Sequence, residues 1–296
     1  MNTVQKQTIH SLSLVKIILF VLACIAIFVA AAAASKLLTF WIANQPARTA
    51  ISEILFRMPI TIIALHFFAT KVIKTYKPTA IYGKLIFSKL LKWTAFGFAL
   101  PLALGMFYYL FNIMIPFAHT TALTATGKLD IFIKWFSISI SAGITEEVLF
   151  RGHLFMLIRS RCSKAKAVLI TSLIFGLVHI VMLPSITPLD IVIVVVGGTI
   201  AGLMFSLICL YSKSVWYAAI AHIVWDIFFI GKITAIATTQ ADADKIILPF
   251  KLITNNLLLT GGSFGVEVAV PSLLLYLLVI GMLYKLMQGQ LNADKI

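Results

Sequence analysis

The chain has little charge and few cysteines for its length. Only 11% of its 296 residues are Asp, Glu, Lys or Arg, and 61% are hydrophobic, whereas soluble domains carry about 25% charged and about 45–50% apolar residues. This composition excludes an ordinary soluble domain and predicts an integral membrane protein. The three cysteines, Cys24, Cys162 and Cys209, lie in apolar runs or a short basic loop without paired spacing. Neither a disulfide framework nor a cysteine-based metal site is therefore expected.

Acidic residues are scarcer than basic ones. The chain has 10 Asp and Glu against 24 Lys and Arg, a formal net charge of +14. Because the basic residues are concentrated between the apolar runs, we interpret them as determinants of membrane topology and as contacts for anionic lipid. A nucleic-acid partner is not expected.

Eight apolar runs are long enough to cross a membrane, which needs about 17–25 residues. They lie near 14–35, 50–72, 93–116, 131–158, 166–182, 190–211, 214–231 and 270–288. The sequence therefore predicts an all-α fold, a polytopic bundle of about eight transmembrane helices. The first run is long enough to be a retained membrane helix rather than a cleaved signal peptide.

The links between these runs alternate in charge. Six lysines fall within 71–92 and four basic residues within 159–166, whereas 117–130 contains Lys128 alone and 183–189 has no cation. By the positive-inside rule, the basic links and both termini are predicted to be cytoplasmic. The long non-cytoplasmic link 232–270 could be a lid, a re-entrant piece or an interfacial helix.

The fourth run contains charged side chains that are costly inside a bilayer, about 2.5–3.5 kcal/mol each at its centre. Glu147 and Arg151 are four residues apart and share a helix face, which predicts a structural ion pair. Glu146 points about 100° away from Glu147. It has no neighbour of opposite charge one turn away, which makes it the stronger functional candidate.

Two further runs carry polar residues at helical spacing. His179 follows Phe175 by one turn in the fifth run, and His222 and Asp226 share a face in the seventh. Each could be a satisfied core group by itself. Counted from the cytoplasmic ends at about 1.5 Å per residue, Glu146, His179 and Asp226 all lie about 20 Å deep, and His222 about 14 Å. We therefore expect these four side chains to meet in one buried site.

Such a site supports two kinds of chemistry. A desolvated carboxylate beside imidazoles can activate water, and a histidine can donate to the oxyanion that forms during amide hydrolysis. The same four residues could also bind zinc through nitrogen and oxygen ligands. The HExxH pattern is absent, so a metal site would be assembled across three helices. No residues are assigned to an organic cofactor.

Other residues in the apolar runs have simpler interpretations. Arg57 and His66 each stand alone and could snorkel or line the same cavity. His153 is expected to pack in the core, with an entrance to the site as the alternative. Gly198 and Gly202 indicate close packing between helices through small residues.

The three polar patterns, taken in order, resemble the motifs of the CPBP family of intramembrane proteases: EExxxR from Glu146, FxxxH from Phe175 and HxxxD from His222. That family includes the type 2 CAAX prenyl endopeptidases and bacterial, Abi-like relatives linked to bacteriocin processing or immunity. The resemblance covers roughly 130–230. It predicts variable transmembrane helices in 1–130, a catalytic core in 131–231, and a long loop with the last helix in 232–296.

The resemblance implies a hydrolase, a membrane-embedded metalloprotease that cleaves a peptide or lipidated-peptide substrate in contact with membrane lipid. It implies that Glu146 activates water with help from His179, and that His222 and residue 226 stabilise the oxyanion or bind a metal. Glu147, Arg151 and Phe175 would support the motifs. A metal-free glutamate mechanism is the alternative to zinc.

One residue departs from the family pattern. Relatives often carry Asn at the last motif position, whereas this chain has Asp226. An ionised aspartate only accepts hydrogen bonds, so it cannot donate to an oxyanion. Asp226 would instead orient His222, coordinate a metal or stay protonated.

Two other classes of function fit parts of the pattern. A catalytically silent membrane protein in bacteriocin immunity or export would keep the fold without needing Glu146. A transporter could use the buried charges as a proton relay, but no inverted repeat is evident in the sequence.

Overall fold

A computed structural model describes residues 12–184, 186–229, 231–237 and 239–293. Within these residues the fold is built from eight long helical segments, which we label α1 to α8 in chain order. They are Leu14–Thr39, Gln45–Ile73, Phe87–Leu110, 125–159, Lys164–Met182, Pro188–Ser212, Val215–Phe229 and Val270–Ala293. A helical membrane bundle is therefore confirmed.

Fewer helices than apolar runs meet the length and composition needed to cross a membrane. Among the described residues, six segments are long and apolar enough to cross a membrane: α1, α2, α3, α5, α6 and α8. The α7 helix is apolar but shorter, and α4, which carries the first motif, is not among the six. The predicted total of eight spans stays a prediction.

Side-chain caps set where many of the helices begin. Ser13, Asn44, Thr124, Ser163 and Thr187 each accept a hydrogen bond from the backbone N–H three residues further on. These residues satisfy N–H groups that the first turn leaves without a helical partner. The caps at Thr124 and Ser163 define the starts of α4 and α5, two of the helices that carry motif residues.

Two helices contain wide π-helical stretches. In α2 the stretch Ile51–Arg57 lies between regular helical segments, and a second stretch, Ala69–Ile73, ends the helix. In α4 the stretch Val148–Leu154 begins directly after Glu147. Such stretches are rare and frequently lie at functional sites. The stretches Ile51–Arg57 and Val148–Leu154 each carry an arginine that forms an ion pair.

Helices α5 and α6 approach closely through small residues. A Cβ atom built on Gly198 would lie 2.8 Å from the Cα of Gly176, and one on Gly202 would lie 3.0 Å from the Cα of Ser172. The predicted packing through small residues is therefore confirmed. It holds the His179-bearing helix directly against α6.

The basic links lie together at one end of the bundle. Arg161 donates to the backbone oxygen of Leu12, so the end of α4 lies beside the start of α1. Ser214 donates to the backbone oxygen of Tyr82, so the link after α6 lies beside the link after α2. This arrangement agrees with the alternation of charge in the sequence. The termini used in the orientation prediction, 1–11 and 294–296, lie outside the described residues, and the orientation itself stays a prediction.

At the opposite end, a small three-stranded sheet joins two distant links. The strands are β1 Met114–Pro116, β2 Thr234–Ile236 and β3 Leu248–Leu252, in the order β1-β3-β2. Strand β1 runs antiparallel to β3, and β2 runs parallel to it. We call the described residues of 112–124 and 231–269 the cap.

The rest of the cap contains loops and single helical turns. The turns are Gln240–Ala243, Leu257–Thr260 and the 3-10 turn Val266–Val268, which leads into α8. The link 232–270 thus folds as strands and short turns and not as one interfacial helix, while the lid and re-entrant alternatives stay predictions. Apolar patches in that link do not predict the sheet, because strand β1 comes from another part of the chain.

Candidate active site

The first motif forms a fully buried ion pair. Arg151 Nη1 lies 2.8 Å from Glu147 Oε1, and Nη2 donates to the backbone oxygen of Gly202 at 3.2 Å. The guanidinium carbon lies 4.3 Å from the ring centroid of Phe175 and 5.4 Å from that of Phe205. The structural pairing predicted for Glu147 and Arg151 is present, and cation–π contacts add to it.

Glu147 also reaches the third motif, a contact that the sequence did not predict. His222 Nδ1 lies 2.9 Å from the same oxygen, Glu147 Oε1. The ring of His222 stacks on Phe205 with 4.7 Å between centroids. No spacing along one helix predicts this contact, because it joins α4 to α7.

A close approach of α4 and α7 makes that contact geometrically possible. A Cβ on Gly143 would lie 2.6 Å from Ile223 Cγ1 and 3.0 Å from the Ile223 backbone nitrogen. The absence of a side chain at Gly143 therefore lets the two helix backbones meet one turn before Glu147. This is a position where only glycine fits.

His222 lies between two carboxylates. Its Nε2 is 3.5 Å from Asp226 Oδ1, at the long end of contact between an imidazole and a carboxylate, while Nδ1 bonds to Glu147. The predicted pairing along one helix face is present. Because an ionised carboxylate accepts only, Nδ1 of His222 carries a proton in this arrangement.

His179 stands where α5 changes from an α-helix to a 3-10 turn. Its Nδ1 donates to the Phe175 backbone oxygen at 2.6 Å, since a carbonyl can only accept. In the neutral ring, Nε2 is then an acceptor. The Phe175 ring packs against the imidazole with 4.4 Å between centroids. The backbone carbonyl and the ring of Phe175 therefore both orient His179.

Glu146, His179, His222 and Asp226 line one cavity of about 360 Å³, which we call the site cavity. Glu146 is half-buried there, while the adjacent Glu147 is fully buried in its ion pair. The predicted convergence of these four side chains is therefore observed. Their catalytic roles stay a prediction.

Arg57 of α2 also lines the site cavity. Its Nη1 pairs with Glu53 Oε2 at 2.9 Å, and its guanidinium lies over the ring of Phe28. Of the two alternatives that the sequence left open for Arg57, lining the cavity is the observed one. By contrast, His153 is buried and its Nδ1 lies 2.8 Å from the Tyr76 hydroxyl, as expected for core packing.

Sequence reasoning missed Glu267. This residue lies in the 3-10 turn before α8 and lines the site cavity. Its Oε1 is buried and has no hydrogen-bond partner in the described part of the chain. The signal that could have found it is a carboxylate between Val266 and Val268, next to an apolar span.

The placement of the side chains that could bind a metal bears on the zinc prediction. Within residues 12–184, 186–229, 231–237 and 239–293, no three His, Cys, Asp or Glu side chains are grouped so as to hold a metal ion. The Nδ1 atoms of His179 and His222 are engaged, which leaves their Nε2 atoms as the nitrogens that could bind a metal. The zinc alternative stays a prediction, and the steps proposed below use no metal.

Comparison with known proteins supports the motif pattern. Residues 128–228 match the family described as type II CAAX prenyl endopeptidase Rce1-like. No curated protein and no solved structure gives a significant match. The matched segment contains all three motifs within a helical membrane bundle. The resemblance predicted from those motifs is therefore confirmed over residues 128–228, which match the Rce1-like family of membrane proteases.

Proposed function

We propose that this protein is an intramembrane endopeptidase in which Glu146 activates a water molecule to hydrolyse a peptide bond. The observation that carries the proposal is the convergence of Glu146, His179, His222 and Asp226 on one cavity from three helices. The Glu147–Arg151 pair beside it is closed off from the cavity and supports the site instead.

The first step is attack by water on the carbonyl carbon of the scissile bond. Glu146 accepts one proton from the water, and His179 Nε2 accepts a hydrogen bond from the other O–H. The bond from His179 Nδ1 to the Phe175 carbonyl leaves Nε2 available for this role. The proton on Glu146 then passes to the leaving nitrogen as the C–N bond breaks.

The developing oxyanion needs a hydrogen-bond donor, and His222 is the group we assign. Glu147 accepts from Nδ1–H, while Asp226 lies beside Nε2. In the imidazolium form, flanked by these carboxylates, Nε2–H donates to the oxyanion. Asp226 orients the ring. An ionised aspartate can fill this role because orienting the ring needs only a hydrogen-bond acceptor.

The substrate class follows from the walls of the cavity. Most of the lining is apolar, and two lining residues, Val29 and Val181, are 59% and 87% exposed on the outside of the bundle. The cavity thus reaches a surface that would face lipid in a membrane. A membrane-embedded or lipid-modified peptide segment fits such an opening.

The decisive variant is Glu146→Gln, which keeps the shape of the side chain and removes the base. We expect hydrolysis of membrane peptides in nanodiscs, followed by mass spectrometry, to fall by about 10²–10⁴-fold, with the unfolding temperature unchanged. The matched control is Asp130→Asn, an exposed carboxylate on the same helix, which should keep full activity. Full activity of the Glu146→Gln protein would end the proposal.

Two further measurements separate the alternatives. The first is elemental analysis of the purified wild-type and His179→Ala proteins. A stoichiometric metal that is present in the wild type and absent from the variant would rule out the metal-free mechanism. Complementation of a deletion strain by Glu146→Gln would favour the catalytically silent role in bacteriocin immunity or export.

A further inference from the structure

One carboxyl group at the wall of the site cavity has no partner in the described part of the chain. Glu267 belongs to the 3-10 turn Val266–Val268, at the edge of the cap, and lines the site cavity. Its Oε1 is buried and forms no hydrogen bond within the described residues. Most buried polar side-chain atoms have a partner, and one without a partner lowers stability. Folding alone therefore does not account for a carboxyl group at this position.

The Glu267 carboxyl lies near the groups that are proposed to act in hydrolysis. Burial first, and the charge of Asp226 second, raise the pKa of Glu267 to about 8, while His222 lowers this pKa and Glu146 raises it. The side chain is thus within electrostatic range of three residues of the candidate site. A carboxyl group accepts hydrogen bonds whether it is ionised or protonated, so Glu267 is an acceptor in either form.

The other ionisable side chains of the cavity wall already have a partner or a role. Those with a partner in the chain are Arg57, His179, His222, Asp226 and Tyr276. Glu146 is the base assigned to the water molecule. In the part of the chain that the structure describes, Glu267 is therefore the ionisable wall residue whose carboxyl is still available to a ligand.

A peptide that enters this cavity brings backbone groups that need partners. In a membrane helix each N–H bonds to the carbonyl oxygen four residues earlier, so we expect the helix to open around the scissile bond before water attacks. The opened N–H groups then face a wall that is mostly apolar, where an unpaired polar group is costly. The peptide thus has donors without acceptors, and Glu267 is an acceptor without a donor.

The turn that carries Glu267 is fixed by its neighbours through backbone and apolar contacts. The Tyr276 hydroxyl of α8 donates to the Glu267 backbone oxygen at 3.1 Å. Val268 packs against α6, where a Cβ built on Gly197 would lie 2.5 Å from Val268 Cγ1. These contacts hold the backbone without using the Glu267 carboxyl. A group on a rigid support of this kind is well placed to bind a ligand in one geometry.

From this arrangement we propose that the Glu267 carboxyl binds the substrate by accepting a hydrogen bond from a backbone N–H next to the scissile bond. The inference rests on the proposed function, since it assumes that a peptide enters the site cavity. It adds a requirement on the substrate, because the residue bound at this point must have an N–H. Proline and N-methylated residues are therefore disfavoured there.

The first test measures peptide binding by full-length protein in nanodiscs. All proteins carry Glu146→Gln, so that the probe, a fluorescent peptide of about 20 mixed Leu, Ala, Val and Phe residues, is bound without being cleaved. Glu267→Leu should weaken binding about three- to tenfold. It should not lower the unfolding temperature, because Oε1 has no hydrogen bond in the described chain to lose.

Two further variants make this result specific. Glu267→Gln keeps an acceptor oxygen and should recover most of the affinity, whereas a loss as large as that of Glu267→Leu would assign the residue a role as a charge and overturn the inference. The control is Asn255→Leu, which replaces an exposed polar side chain of the cap outside the site cavity. It should bind the probe as before, and an equal loss in this protein would also overturn the inference.

The second test identifies the donor. The probe is N-methylated at one residue at a time, which removes one N–H and leaves the side chains unchanged. Methylation at one position should weaken binding about three- to tenfold when Glu267 is present, and should have little effect there once Glu267→Leu is added. Equal losses with and without Glu267 at every position would contradict the inference.

The inference and the proposed function fail in different ways. If the N-methyl effect depends on Glu267 but wild type hydrolyses no peptide, the proposed function fails while the contact stands. If the Glu267→Leu protein, with Glu146 intact, hydrolyses the probe with the kcat/KM of wild type, the proposed function stands and the inference fails.

Discussion

The bundle interior and the cap handle charge in opposite ways. Inside the bundle, Glu147 is fully buried and bonds to both Arg151 and His222. In the cap, Lys232 and Lys251 are half-buried without an ion pair in the described residues, and Asp244 holds a loop through hydrogen bonds. Burying an unpaired ion is costly, whereas water solvates a charge at the end of the bundle. Glu147 and Arg151 therefore stay buried as a pair.

The same difference appears in how the two regions are built. The interior site is carried by helices, in which residues four apart share a face. The cap depends on a sheet whose strands pair Ile115 with Lys251, more than a hundred residues apart in the chain.

Breaking the buried pair should have the largest effect on stability. Replacing Arg151 by Met leaves Glu147 buried with only His222 beside it, which should lower the free energy of unfolding by about 3–5 kcal/mol. The double variant Glu147→Gln, Arg151→Met should lose less than the sum of the two single variants, because no lone charge remains. Unfolding in detergent measures all three proteins. A loss from Arg151→Met no larger than that from Lys245→Gln in the cap would contradict the comparison.

An intermediate effect is expected from the contact between α5 and α6. A Cβ at Gly198 would lie 2.8 Å from the Cα of Gly176, so Gly198→Ala must push the two helices apart. We expect a loss of about 1–3 kcal/mol in unfolding free energy, together with lower peptidase activity because α5 carries His179. Gly281→Ala is the matched control, since no atom lies within 4 Å of a Cβ built there. Equal stability of both variants would show that the interior is less tightly packed than described.

The smallest effect is expected in the cap and depends on pH. The Thr120 backbone N–H donates to Asp244 Oδ1 at 2.8 Å, and this hydrogen bond lowers the pKa of the Asp244 carboxyl. Because the pKa is lower in the folded chain, the ionised carboxylate stabilises the fold at pH values above the pKa of aspartate in the unfolded chain, which is about 4. That contribution is lost as the pH falls through the lower pKa of the folded state.

A spin label at the exposed residue Thr121 can follow this change. Its mobility should be constant near neutral pH and rise at acid pH, when Asp244 becomes protonated. The Asp244→Asn protein should lack that acid transition, while the bundle unfolds as in wild type. An unchanged transition in Asp244→Asn would assign it to another group.

Much of the candidate site was predictable because its residues obey helical spacing. The Glu147–Arg151 pair, the shared face of His222 and Asp226, and the approach of α5 and α6 through Gly198 follow from residues three or four apart, or from residue size. Glu146 and His179 line the same cavity, while their common depth in a membrane stays a prediction. The contact from Glu147 to His222 and the place of Glu267 were not predictable, because they depend on how separate elements pack.

Composition and motif spacing are enough to identify a helical membrane protein and the side chains that carry the motifs, because a bilayer tolerates few polar residues and each one is conspicuous. The contact of one carboxylate between α4 and α7, the position of Glu267 in the site cavity and the sheet at the other end become visible only in the folded chain. These features depend on helix rotation, close approach at Gly143 and pairing of distant strands. Local spacing encodes none of them.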